Sequence, residues 1–169
     1  TIRGNAVEGS LLWVMQRCKT AMGKRLLRKW LCEPLSEIAA IEKRQAVVNA
    51  FVEEGVMFRD TQTTLDKIQD IARISGRVAM GRVTPRDIVA LGASINLCKE
   101  LANVLRSPAI SHLKKQIDNL AETLLPLAQT IQAQCVDTPP AHMRDGGLFR
   151  DGIDSQLDEA RVLQRDAGS

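Results

Sequence analysis

Aromatic residues are scarce in this 169-residue chain: 3% of the total, with two Trp, three Phe and no Tyr. Ligand pockets and base-stacking surfaces both lean on aromatic rings, so the composition argues against either as its principal role. Histidine is nearly absent. His112 and His142 have no Cys, Asp or Glu at ligand spacing, which favours structural or solvent-exposed positions over metal binding. The four cysteines, Cys18, Cys32, Cys98 and Cys135, show no C-x-x-C spacing, which disfavours zinc and thioredoxin-type chemistry. Without a signal-like start, reduced thiols in a cytoplasmic protein are the expectation. No apolar run approaches the roughly 20 residues needed to cross a bilayer, so no membrane partner is expected. G-x-S-x-G, H-E-x-x-H and paired carboxylates are missing as well. No catalytic residue, cofactor ligand or metal ligand is therefore assigned. One near miss is Gly76 to Val83, G-R-V-A-M-G-R-V, with the glycine spacing of a P-loop. Arg82 stands where the phosphate-reaching Lys belongs and Val83 where the Mg²⁺-binding Ser/Thr belongs, and no Val/Ile-rich strand precedes it. Helix glycines explain it better.

What is present is helix-forming sequence. The chain is 44% hydrophobic and 25% charged, with a net charge of +3, long enough for one real core and too mildly basic to argue nucleic-acid binding alone. Residues 1–9 read as an irregular lead-in. Ser10 is placed to cap a short helix from Leu11 to about Arg17. Ser36 precedes a helix to about Glu54, with Ile38, Ile41, Val48 and Val52 on one side and Gly55 as its stop. Val56 to Gly81 reads as broken helix restarting at Asp70, with an Asp70–Arg73 pair. Thr84-Pro85-Arg86-Asp87 is the clearest start, a Thr cap with Pro in the first turn and an acid three after the cap. Ile88, Leu91, Ile95, Cys98, Ala102 and Leu105 follow as a core seam to about Arg106. After Ser107-Pro108, residues Ile110, Leu113, Ile117, Leu120, Leu124, Leu127 and Ile131 continue the rhythm, and Pro126 should kink or restart the helix. Arg144 to Asp154 reads as loop or short extended chain with bends at Gly146, Gly147 and Gly152, and Arg144-Asp145-Gly146-Gly147 could clamp two elements together. Asp154 or Ser155 opens a last helix, Ser155 and Asp158 standing at capping-box spacing. The fold class is all-α, an irregular multi-helix bundle.

The most informative stretch is Thr20 to Leu35, T-A-M-G-K-R-L-L-R-K-W-L-C-E-P-L. Thr20 can cap it and Pro34 should end it. Leu26, Leu27, Trp30 and Leu31 share one face, and Lys24, Arg25, Arg28 and Lys29 form a basic edge beside it. Lys24 and Arg25 sit near the helix start, where the macrodipole favours acids. That cost calls for an acidic neighbour, another domain or a phosphate. A solvated edge on a core helix is the plain alternative.

This stretch, with several others in order, resembles the MutS family of DNA mismatch-repair proteins, in its bacterial branch. Gly9-Ser10-Leu11-Leu12 leads in, and Ile41-Glu42-Lys43-Arg44-Gln45 is similar to the family's I-E-x-R-Q. Asp70-Ile71-Ala72-Arg73-Ile74 is similar to its D-L-E-R-L, with Ala72 in place of Glu. Pro85-Arg86-Asp87, Asp137-Thr138-Pro139-Pro140, Arg144-Asp145-Gly146-Gly147 and Leu157-Asp158-Glu159-x-Arg161 agree too. The resemblance implies a fragment: the core or lever region, residues 1–154, and the start of a long lever helix, 155–169, that leads to a clamp outside this chain. It implies no catalytic site here. ATP and Mg²⁺, mismatched double-stranded DNA, a MutL-type partner and a homodimer are implied for the parent protein, whose other domains would be this region's partners. The role implied is to couple the ATPase to the clamp. Two rival readings are a stand-alone duplex-binding module using Lys24, Arg25, Arg28 and Lys29, and a helical protein–protein scaffold. With the return helix missing, Leu157 and Val162 should be partly exposed.

Overall fold

The computed structural model describes residues 8–167, and all named elements among them are helical. The first seven residues of the expected lead-in lie outside that range. The helices are α1 (Leu11–Met15), α2 (Ala21–Cys32), α3 (Ile38–Glu53), α4 (Gly55–Lys67), α5 (Ile71–Ala79), α6 (Pro85–Val104), α7 (Ser111–Gln134) and α8 (Ser155–Ala167). Short 3-10 turns at Pro108–Ile110 and Met143–Asp145 complete the course.

The starts follow the capping residues. The hydroxyl of Ser10 accepts the N–H of Trp13, that of Thr20 accepts the N–H of Gly23, and the Asp70 carboxylate accepts the N–H of Arg73. At α6 the box is complete: Asp87 N–H donates to Thr84 Oγ1 at 3.2 Å and Thr84 N–H donates to Asp87 Oδ2 at 3.0 Å. Each satisfies backbone donors that the helix cannot. At α8, Asp154 Oδ1 accepts the N–H groups of Gln156 and Leu157, while Asp158 turns away to accept the N–H of Gly152, so the cap is Asp154 and the Ser155–Asp158 box does not form.

Three boundaries differ from the sequence pattern. Helix α1 ends at Met15, short of Arg17. Ser36 caps nothing; α3 begins at Ile38 after Glu37, without a side-chain cap. Gly55 does not stop α3 but opens α4, with Glu54 as the joint between the two helices. Phe51 and Phe58 meet edge to face across that joint, ring centroids 6.3 Å apart, which fixes its angle.

Helices α6 and α7 form the spine. Lys114 Nζ donates to the carbonyl of Ala102 at 3.1 Å near the connecting turn, and Gly92 faces Ile131 farther out, so the pair runs antiparallel. The seam of α6 is buried at Ile95, Ala102 and Leu105 as the spacing predicts. On α7 the leucine seam gives way. Leu120 and Leu127 are exposed, while Ala121 and Ala128 are buried. Small residues let the backbones approach closely, and a leucine at those points would hold them apart. Pro126 lies inside α7 and does not restart it. Its missing N–H costs one ladder bond, which the surrounding 24-residue helix absorbs.

Helix α3 also turns an unexpected face inward. Ala50 is buried, with Val47 and Phe51 packed beside it against Met57, Leu105 and Ile110. Ile38, Val48 and Val52, which share the other side of the helix, are exposed.

Candidate functional site

The basic edge of α2 comes first. Arg25 does not face solvent as a free cation. It makes a forked pair with Asp70, the residue that caps α5; its Nη2 donates to Oδ1 at 2.8 Å and its Nη1 donates to Oδ2. Arg73 Nε lies 3.4 Å from the same carboxylate. Arg25's bonds hold the Asp70 carboxyl down to about 2, helped by the Arg73 N–H and both positive charges against the opposing cost of partial burial. The acid that the α2 start was short of is therefore supplied from α5, 45 residues away. Lys29 lies 3.8 Å from Glu33 on its own helix, with both side chains largely exposed. Lys24 and Arg28 are exposed. The four basic residues thus do not act as one set: one is a structural tie and three border solvent.

A second tie joins α5 to α6. Arg77 Nη2 donates to Asp87 Oδ1 at 2.6 Å. Burial pushes the Asp87 carboxyl up, but the Thr84 N–H and hydroxyl and the Arg77 charge outweigh it and leave the group lowered. These bonds place Gly76 inside α5 and Gly81 at φ 64° just after it. Gly76 to Val83 therefore forms a helix end, its Arg77 already engaged, and does not fit a phosphate cradle. Among the described residues no group of three His, Cys, Asp or Glu side chains could hold a metal ion, and no helix is long and apolar enough to cross a membrane.

The Arg144–Gly147 loop is a turn that bends the chain back to α7. Asp145 Oδ2 accepts the N–H of His142 at 3.0 Å, and Gly146 and Gly147 take φ of 68° and 75°, the left-handed region that glycine adopts without strain. Arg144 is 84% exposed and clamps nothing among the described residues except a loose 3.9 Å approach to Asp145. The clamping is done just downstream. Val136 N–H donates to the Leu148 carbonyl and Arg150 N–H to that of Gln134, at 2.9 and 2.8 Å, around an antiparallel bridge between Cys135 and Phe149. Arg150 Nη2 donates to Asp137 at 2.9 Å. Arg161 of α8 then donates from Nη1 to Asp151 at 2.7 Å and from Nη2 to the Phe149 carbonyl at 2.9 Å. Sequence reading found Arg161 only as part of a motif; its contacts lie in a loop whose path no periodicity reveals.

A groove of about 780 Å³ lies between the end of α2 and the outer face of α3, lined by Trp30, Leu35, Ile41, Val48 and Val52. The Arg44 guanidinium sits over the Trp30 ring, 3.5 Å from its centroid, and ties the two helices together.

The profile of MutS domain III matches residues 1–166. The chain belongs to the MutS domain III family. It is 39% identical over 165 residues to the DNA mismatch repair protein MutS of Trichormus variabilis, which covers 96% of this chain and 19% of that protein. The MutS of Synechococcus elongatus is 40% identical over 161 residues, 95% of this chain and 18% of that one. The MutS of Alkaliphilus oremlandii is 34% identical over 166 residues, 98% and 19% respectively. This MutS domain III chain thus spans just under a fifth of the length of the curated relatives it matches. Its all-helical architecture agrees with the fold expected from the family's motifs. In this chain the motif residues Asp70, Asp87 and Arg161 tie α2 to α5, α5 to α6, and α8 to the loop before it.

Proposed function

We propose that this chain is the mechanical core of a cytoplasmic mismatch-recognition protein, coupling an ATPase to a DNA clamp carried elsewhere in the same polypeptide. ATP, Mg²⁺, mismatched duplex DNA, a MutL-type partner and a homodimeric partner belong, in this reading, to the parent protein. The observation that carries it is a continuous run of ties from one end of the domain to the other. Arg25–Asp70 joins α2 to α5, Arg77–Asp87 joins α5 to α6, the close α6–α7 packing forms the spine, and the Arg161 contacts join α8 to the loop after α7. A displacement imposed at α8 meets ion pairs and close-packed backbone rather than soft loop, which is what coupling between distant sites needs. The residues 155–167 form the stem toward the clamp in this reading, and Arg144 to Gly147 lie at its root.

The stand-alone duplex-binding reading is weaker, because Arg25 is committed to Asp70. The test uses the full-length protein with Arg161→Gln. Hydrolysis of ATP without DNA should stay near wild type, while its response to mismatched duplex should fall several-fold, within the roughly 5–150-fold range of typical couplings. An unchanged response, with the fold intact by circular dichroism, would overturn the proposal.

A further inference from the structure

Helix α5 is anchored at both ends and held weakly between them. Before it, the N–H of Gln69 donates to the hydroxyl of Ser94 at 3.1 Å, and Ser94 is buried in α6. Ile68 beside it is buried too. After it, Thr84 is fixed in the capping box that opens α6. Both posts therefore stand on the spine. The helix that spans them, Ile71–Ala79, buries one side chain, Ile74. Val78 is 50% exposed, and among the described residues none from α5 joins the two hydrophobic clusters of the core. Nine residues are too few for a helix to hold itself in water, where even about 12–15 are marginal. Gly76 in its middle weakens it further.

What keeps α5 in place is charge. Its cap, Asp70, takes the forked Arg25 pair from α2, and its Arg77 reaches Asp87 on α6. The guanidinium partners are open to solvent: the side chains of Arg25, Arg73 and Arg77 are 43%, 68% and 41% exposed. Dissolved ions screen such pairs, whereas they do not weaken buried apolar contacts. The attached state also carries a defect. Arg77 Nε is buried with no hydrogen-bond partner among the described residues. Water would satisfy that donor once the helix lifts away.

We infer that α5 is a salt-sensitive latch, which leaves and rejoins the spine as one unit while α6 and α7 stay folded. It pivots just after Gln69 and at Gly81, whose φ is 64°. Opening uncovers little apolar surface beyond Ile74, so it is a local event and not the start of global unfolding. With the latch open, Arg25 loses its partner, and the run of ties from α2 to the spine is interrupted at the one link that solvent ions reach from both ends. The latch follows from the packing of this domain and does not rest on the coupling role.

The experiment is amide hydrogen exchange, read by mass spectrometry on the full-length protein. It is run at about 0.05 M and about 0.5 M potassium chloride, which shortens the Debye length from about 14 Å to about 4 Å. Peptides covering residues 71–80 should exchange faster than those from the interiors of α6 and α7. The higher salt should speed them by at least about threefold, while the spine peptides keep their rates. Arg25→Gln with Arg77→Gln removes both pairs and leaves the Asp70 and Thr84 caps in place. It should raise exchange over 71–80 at low salt by about tenfold and take away most of its response to salt. Gly76→Ala should slow exchange in the same peptides alone. Protection over 71–80 equal to that of α6 at both salts would overturn the inference. So would a salt response shared by every peptide, which belongs to the whole fold, or a double variant that exchanges like wild type. The salt series on the unsubstituted protein decides the matter even where a variant loosens the fold. None of these rates depends on ATP hydrolysis, so the latch and the coupling role can fail separately.

Discussion

Arg25 and Asp70 lie 45 residues apart and meet as a two-pronged ion pair that joins the basic edge of α2 to the cap of α5. The pair gives the domain a defined acid sensitivity. The Asp70 carboxyl is held at about 2 in the folded chain, against about 4 for an unfolded aspartate. A lowered folded-state value contributes stability that is present above pH ~4 and is lost as pH falls from there toward 2. Asp70→Asn should therefore be less stable than wild type at neutral pH, and the gap should narrow as the medium is acidified through that window. Urea melts at pH 7, 4, 3 and 2 read this directly; a gap that stays constant would remove the pair from the explanation.

Gly92 and Gly76 should respond in opposite ways to alanine. A Cβ at Gly92 would stand 2.9 Å from Ile131 Cγ2 and 3.2 Å from Ile131 Cβ, in the middle of the spine. Overpacking costs about 1–3 kcal/mol, of which the helix preference for Ala over Gly returns about 1 kcal/mol. Gly92→Ala should lose up to about 2 kcal/mol in chemical denaturation. At Gly76 a Cβ meets nothing within 4 Å, and the residue lies in α5. Gly76→Ala should gain about 0.5–1 kcal/mol. Two shifts of the same sign would contradict the close approach of α6 and α7.

The cysteines should react in an order set by burial. Cys32 is exposed, Cys18 and Cys98 are half-buried, and Cys135 is buried beneath the loop that returns from Leu148. Burial pushes the thiols of Cys98 and Cys135 up, and the nearby Arg150 only partly offsets this at Cys135. With a limiting alkylating agent, Cys32 should be modified first and Cys135 only as the protein unfolds. Early modification of Cys135 would mean that the 135–149 bridge opens in the folded state.

The basic edge gives a test by salt. Neutralising Lys24 and Arg28 in the full-length protein should leave the slope of log affinity for duplex DNA against log salt unchanged. If the edge grips phosphates instead, the slope should become shallower by about two.

Local chemistry was legible in the sequence wherever it was self-contained. Ser10, Thr20, Asp70 and Thr84 each cap the helix they precede, because a cap is decided within three residues. The Thr20 stretch calls for an acidic neighbour, another domain or a phosphate, and Asp70 supplies the first of these. What could not be read was the choice between two apolar faces of one helix. On α3 both stripes carry valine, and the position of α4 and the Leu105–Ile110 corner selects the one with Ala50. On α7, hydrophobicity favoured Leu120 and Leu127, but the distance of approach to α6 favours Ala121 and Ala128. Glycine often ends helices, so Gly55 reads as a stop; it opens α4 instead, and Phe51 meets Phe58 across the joint, a contact no local pattern announces. The candidate residues divide in the same way. The pairing of Arg25 is a long-range fact, and so are the exposure of Arg144 and the two ties of Arg161 to the turn.

Those ties set the geometry of motion at the far end of the chain. Arg161 is the middle of α8, and its two nitrogens bind the turn at Phe149 and Asp151. From Ser155 to Ala167 the helix is about 18 Å long. It is therefore a short arm fastened near its midpoint to a turn that is itself laddered to the end of α7. Tilting the arm by about ten degrees around that fastening carries each tip only about 1.5 Å, by the same helix rise. Pulling the whole arm away from the turn, by contrast, stretches the Asp151 pair and the Phe149 carbonyl bond first. Two side chains of α8, Arg161 and Asp158, hold the arm to that turn.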